Sequence, residues 1–170
     1  MYSLNVPLPP AVRDLVNAFR PALAGFGRVR GVRDATLVVK RLDAADRREY
    51  LAAEREATAA LRGAPAFAAR IARVGVFDAP VAGPGPLVYL AVESPGLERV
   101  HGQLVDALGA VEGLEGDEYV PHVTLARDGP PAAVRRVRER SFDPVTWSVT
   151  ELEFYDADHG ERIEAVSLPA

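Results

Sequence analysis

Apolar and polar positions alternate from the first residues, where Tyr2, Leu4 and Val6 interleave with Ser3 and Asn5. This period of two predicts a strand, which Pro7, Pro9 and Pro10 end. Val12, Leu15, Val16, Phe19 and Leu23 then fall on one face of a helix that Pro21 closes. The short β-branched run inside Thr36 to Lys40 predicts a central strand. An Ala-, Glu- and Arg-rich stretch from Asp43 to Arg62 predicts a helix with Asp43 as N-cap and Gly63 as stop. Phe67 to Val76 reads as a strand or a bent pair, and Leu87 to Val92 as another strand beyond the Pro80 to Pro86 loop. Ser94 and Pro95 open a helix whose buried stripe is Leu97, Val100, Leu104 and Leu108.

The second half continues with Pro121-His122-Val123-Thr124-Leu125-Ala126-Arg127 as a strand and Pro131 to Arg140 as a short basic helix. Two strands close the chain. The first holds Val145, Trp147 and Val149, with a phase change to Leu152 and Phe154 that reads as a bulge. The second is Ile163 to Leu168, after a turn at Asp156 to Gly160 that holds His159. Both halves thus read strand, helix, strand, helix, strand. The expectation is an α+β fold of two pseudo-symmetric lobes, about 1–80 and 81–170, whose antiparallel sheets line a central cleft with helices outside.

Composition narrows the chemistry. The 170 residues are 48% apolar, enough for one sizeable core, and contain no cysteine and three histidines. A disulfide framework, a thiolate nucleophile and a cysteine-ligated zinc are excluded, and no metal or other cofactor is expected. No apolar run is long enough to span a membrane and no secretory leader is visible, so the sequence reads as cytoplasmic, and a monomer is expected. A net charge of −4 argues against broad coating of duplex nucleic acid. Arg28, Arg30, Arg33, Lys40 and Arg41 nonetheless cluster where they can meet an anionic substrate. Only Lys40 among the 20 basic residues is lysine, so coding bias toward arginine is the competing explanation.

His122 and Thr124 lie two apart on a strand and therefore share a face, where an imidazole and a hydroxyl can grip one phosphate. Upstream, Asp34-Ala35-Thr36-Leu37 repeats the threonine–leucine half of this pattern without a histidine. His101, on the edge of a helical stripe, reads as a packing residue, as do Trp147 and Phe154. Tyr89 and Tyr119 are packing residues or platforms for a base. The acidic stretch Glu112 to Glu118 reads as a mobile loop that lids His122.

These motifs resemble the 2H phosphoesterase superfamily, in its 2′-5′ RNA ligase-like and 2′,3′-cyclic phosphodiesterase branch, whose pattern is two copies of His-x-Thr/Ser-x on strands of two pseudo-symmetric lobes. The resemblance implies that His122 is a general acid or base and that Thr124 and Thr36 bind phosphate. Asp34 then occupies the first histidine slot, or Ala35 after a shift of one residue. It further implies metal-independent opening of 2′,3′-cyclic phosphates on RNA ends or small nucleotides, with reversible 2′-5′ RNA ligation as a second reaction. The assigned substrate contacts are Lys40, Arg41, Arg127 and Tyr119. An ionised aspartate is a weak base and repels phosphate, so activity is expected to be impaired. A catalytically inactive protein that binds nucleotides or RNA ends, recruitment of another residue, and deliberate replacement of the first histidine all remain open.

Overall fold

The computed structural model describes residues 1–169, and among them nine strands form one antiparallel sheet. In chain order the elements are β1 (Tyr2–Val6), α1 (Pro10–Phe19), β2 (Arg28–Val29), β3 (Leu37–Leu42), α2 (Arg47–Ala60), β4 (Phe67–Phe77), β5 (Leu87–Glu93) and α3 (Pro95–Leu108). They continue with β6 (His122–Arg127), α4 (Pro131–Glu139), β7 (Val145–Val149), β8 (Glu151–Asp156) and β9 (Glu161–Ser167). The strand order is β7-β4-β5-β6-β3-β1-β8-β9, with β2 on β6.

This order corrects the boundary expected near residue 80. β4 pairs with β5 and β7, whereas β8 pairs with β1 and β9, so each half of the chain gives its last strands to the other half. The expected bulge after Val149 is this crossover. β7 and β8 stand six places apart in the sheet, roughly 29 Å if it were flat, yet only Thr150 separates them. One residue spans that gap only if the sheet curls into a half-barrel that brings its two ends together. Leu168 N–H to the Thr150 carbonyl (2.8 Å) and Ala66 N–H to the Pro169 carbonyl (2.7 Å) tie the ends.

All four helices contribute to one buried core with one face of the sheet. Val12, Val16 and Phe19 of α1, Ala57 of α2, Leu97 and Leu104 of α3 and Val137 of α4 pack with Leu4, Leu37, Leu90, Val123 and Phe154. Phe154 is core as expected; Trp147 is half-buried on the edge strand β7. The Ser94 Oγ accepts from Leu97 N–H (3.1 Å) and donates to the Ala68 carbonyl (2.6 Å), which caps α3 and fastens it to β4. For α2 the cap is Asp46, not Asp43: its carboxylate accepts from Glu49 N–H at 2.9 Å, while Glu49 reaches back to Ala45 N–H at 2.7 Å.

Gly96, in the first turn of α3, lets the helix sit against Phe67; a Cβ there would lie 2.2 Å from the Phe67 Cβ. That atom is fixed to the backbone and cannot swing away. Gly96→Ala is therefore expected to destabilise the protein by about 1–3 kcal/mol, read as a lower midpoint in urea denaturation.

Candidate functional site

β3 and β6 lie side by side at the middle of the sheet, and Leu37 pairs with Val123. Residues flanking an antiparallel pair face each other on one side of the sheet, so Thr36 stands opposite Thr124 and Val38 opposite His122. Three features show that β3 and β6 are related by a local two-fold through this pair. The outer neighbours match: Val38 pairs with Asn5 as Thr124 pairs with Tyr89. Both strands carry a register shift one residue later, which leaves Val39 and Leu125 as the extra residues. Burial also follows the same order along Thr36–Arg41 and His122–Arg127: partly exposed, buried, partly exposed, buried, buried, partly exposed.

The symmetry pairs Thr36 with His122, Val38 with Thr124, Lys40 with Ala126 and Arg41 with Arg127. This corrects the expected register. Asp34 ends a short turn, Val32–Asp34, and is exposed; Ala35 is buried just outside β3. Neither stands where His122 has its mate.

His122 faces the groove at the start of β6. Its Nδ1 lies 2.7 Å from the Val120 carbonyl, and a carbonyl only accepts, so Nδ1 carries the proton and Nε2 keeps its lone pair. Tyr89 and Phe77 hold the ring edge-on, at 5.3 and 5.4 Å between centroids, and stack on each other at 4.3 Å. Tyr89 lies over Gly75, where a Cβ would come within 2.3 Å of its ring. Tyr89 is thus a positioning residue for the imidazole. Burial pushes the His122 pKa down; the bond to Val120 opposes this, and the positive charges of Arg41, Arg127 and Arg30 lower it further. At neutral pH the ring is an uncharged base.

The arginines form a positive rim. Beyond Leu37 and Val123 the strands β3 and β6 part, and β2 fills the space, setting Arg28 opposite Arg127. Among the described residues no ion pair joins Arg28, Arg30 or Arg127 to a carboxylate. Arg41 reaches the Glu115 carboxylate only at 3.9 Å.

Two expected substrate contacts are structural instead. Lys40 is 3% exposed on the core side of β3; its Nζ donates to Glu115 Oε2 and to the Arg41 carbonyl, both at 2.7 Å. Tyr119 donates its hydroxyl to the Val38 carbonyl (2.7 Å) and stacks on His101 at 3.7 Å. His101 donates from Nδ1 to the Val39 carbonyl and accepts Gly116 N–H at Nε2. Burial raises the Glu115 pKa, but bonds from Lys40, Arg41 N–H and Val111 N–H outweigh it and hold the carboxyl below its usual range. The acidic stretch is therefore anchored by Glu115, against the expectation of a mobile lid.

A half-barrel with two symmetry-related strands at its centre, one carrying His-x-Thr, defines a class of α+β proteins built around a single groove. The 2′-5′ RNA ligase superfamily model matches residues 35–161, and the chain belongs to that family. TT0787 of Thermus thermophilus superposes with a TM-score of 0.70 at 21% identity, covering 98% of this chain and 97% of that one. E. coli LigT complexed with NADP+ gives 0.70 at 18% identity, covering 99% and 97%. A structure described as a phosphoesterase gives 0.71 at 19% identity, covering 99% and 98%. No curated protein matches. Among the described residues, no helix is long and apolar enough to cross a membrane.

Proposed function

We propose that this chain binds 2′,3′-cyclic phosphates on RNA ends or small nucleotides and opens them slowly to 2′-phosphates, with His122 as its one proton-transfer side chain. The observation that carries this reading is an uncharged imidazole with a free Nε2 beside Thr124 and a rim of arginines, whose symmetry mates are Thr36 and Val38. Structures of E. coli LigT complexed with 3′-AMP and ATP support nucleotides as ligands. The chain acts as a cytoplasmic monomer.

In this scheme the cyclic phosphate lies over β6. His122 Nε2 takes a proton from water, whose oxygen bonds to phosphorus, and the bond to the ribose 3′-oxygen breaks. The Thr124 hydroxyl and the Arg41 guanidinium stabilise charge on the nonbridging oxygens. Where a second imidazole would protonate the departing oxygen, the Thr36 hydroxyl is too weak an acid to do so, so solvent supplies the proton. A 5′-hydroxyl in the place of the water, deprotonated by the same Nε2, opens the ring in the same way and leaves a 2′-5′ linkage.

Ring opening of a nucleoside 2′,3′-cyclic phosphate in the presence of chelator tests this. Slow turnover that disappears in His122→Ala is the expected result. Tight binding without turnover would instead make the chain a nucleotide-binding member of its family. The pH profile is a further expectation. A base with a lowered pKa is charged only in acid, so the rate should rise with pH, reach half its plateau below the ordinary imidazole value near 6.5, and show no descending limb at neutral pH.

A further inference from the structure

The groove continues past Thr124 into a pocket of about 200 Å³ lined by Arg28, Val29, Arg30, Thr124 and Arg127. We propose that this pocket is a second phosphate subsite, which takes the phosphate on the 5′ side of the terminal nucleotide while His122 and Thr124 hold the cyclic phosphate. The inference rests on the function proposed above and specifies its substrate: a nucleotide whose 5′-oxygen is already phosphorylated.

The arginines are fixed on rigid backbone. Gly27 N–H donates to the Asp128 carbonyl (2.8 Å), Arg30 N–H donates to the Leu125 carbonyl (2.9 Å), and Arg28 and Val29 pair with Arg127 and Ala126. The short segment from 27 to 30 is thus bonded along β6 for its whole length. Arg127 donates to the Ala82 carbonyl at 2.5 Å, and a Cβ on Gly83 would come within 2.9 Å of its guanidinium, so the 78–86 loop is shaped around this side chain.

Like charges placed opposite each other on paired strands repel, and Arg28 faces Arg127 while, among the described residues, neither forms an ion pair with a carboxylate. Burial lowers the Arg127 pKa, and the like charges of Arg30 and Arg28 lower it further. An arrangement that costs stability in the free protein is relieved when an anion enters. Thr124 borders both the groove and the pocket, so a phosphate in the pocket is a neighbour of the one held by His122 and Thr124. Arginine forks suit either a free 5′-phosphate or the phosphodiester of an RNA chain.

Equilibrium binding of three stable product mimics decides the matter: adenosine 2′-monophosphate, adenosine 2′,5′-bisphosphate, and the dinucleotide ApA with a 2′-phosphate. The bisphosphate should bind at least about tenfold more tightly than the monophosphate, and this ratio should fall below about twofold in Arg28→Gln/Arg30→Gln. A dinucleotide that matches the bisphosphate assigns the pocket to an RNA phosphodiester; one that matches the monophosphate assigns it to a free 5′-phosphate. A ratio near one in the unaltered protein, or an undiminished ratio in the double variant, overturns the subsite and leaves the function proposed above standing. Failure of all three ligands to bind overturns both.

Discussion

Thr36→His combined with Val38→Thr is expected to raise the rate of 2′,3′-cyclic phosphate opening by about 100- to 10,000-fold, the usual worth of a positioned acid or base. The local two-fold places these two residues where His122 and Thr124 have their counterparts. The new imidazole would protonate the departing oxygen, so the pH profile should change from a single rising limb to a bell. Asp34→His and Ala35→His should leave the rate where it is, because neither position lies on β3. Stopped assays over a range of pH on the four proteins check this, and acceleration by Asp34→His alone would show that the two-fold has been drawn through the wrong residues.

Lys40→Met is expected to destabilise the fold by about 3–5 kcal/mol, because it leaves the Glu115 carboxylate buried without its counter-charge. In a protein of this size each kcal/mol moves the melting midpoint by about 2–4 °C, so a fall of roughly 10 °C should be seen. Lys40→Met with Glu115→Leu should recover only part of the loss. Arg41 N–H and Val111 N–H also bond to that carboxylate and would be orphaned. Acid acts in the same direction. The Glu115 pKa is lowered in the folded protein, so its contribution is complete above the ordinary carboxylate range and is lost as pH falls through the lowered value. A Lys40→Met protein that melts with the unaltered one would remove this ion pair from the stability of the fold.

The elements whose signals are local were legible in the sequence. The alternation around His122 and Thr124 announced β6, and Ser94 followed by Pro95 announced α3, because a strand face and a helix cap are settled within a few residues. What failed depended on partners far along the chain. Thr36 resembles the threonine of a His-x-Thr motif, but its role is fixed by the pairing of Leu37 with Val123, and no local rule specifies that pairing. Lys40 beside Arg41 reads as an anion contact until Glu115, 75 residues away, is seen to hold it. The change of phase after Val149 looks the same in sequence for a bulge and for a strand that leaves one edge of the sheet and joins the other. The arginine pocket had a compositional trace in Arg28 and Arg30, but nothing local brought Arg127 to them.

The exchange of closing strands makes the N-terminal half the last to be finished during synthesis. β1 leaves the ribosome long before its outer neighbour, residues 151–156, so the nascent chain carries an open sheet edge until that strand has been made. A stop codon that falls just before Glu151 exposes that edge permanently, and such a truncated product should become a substrate for chaperones and proteases even though every residue of the groove is present.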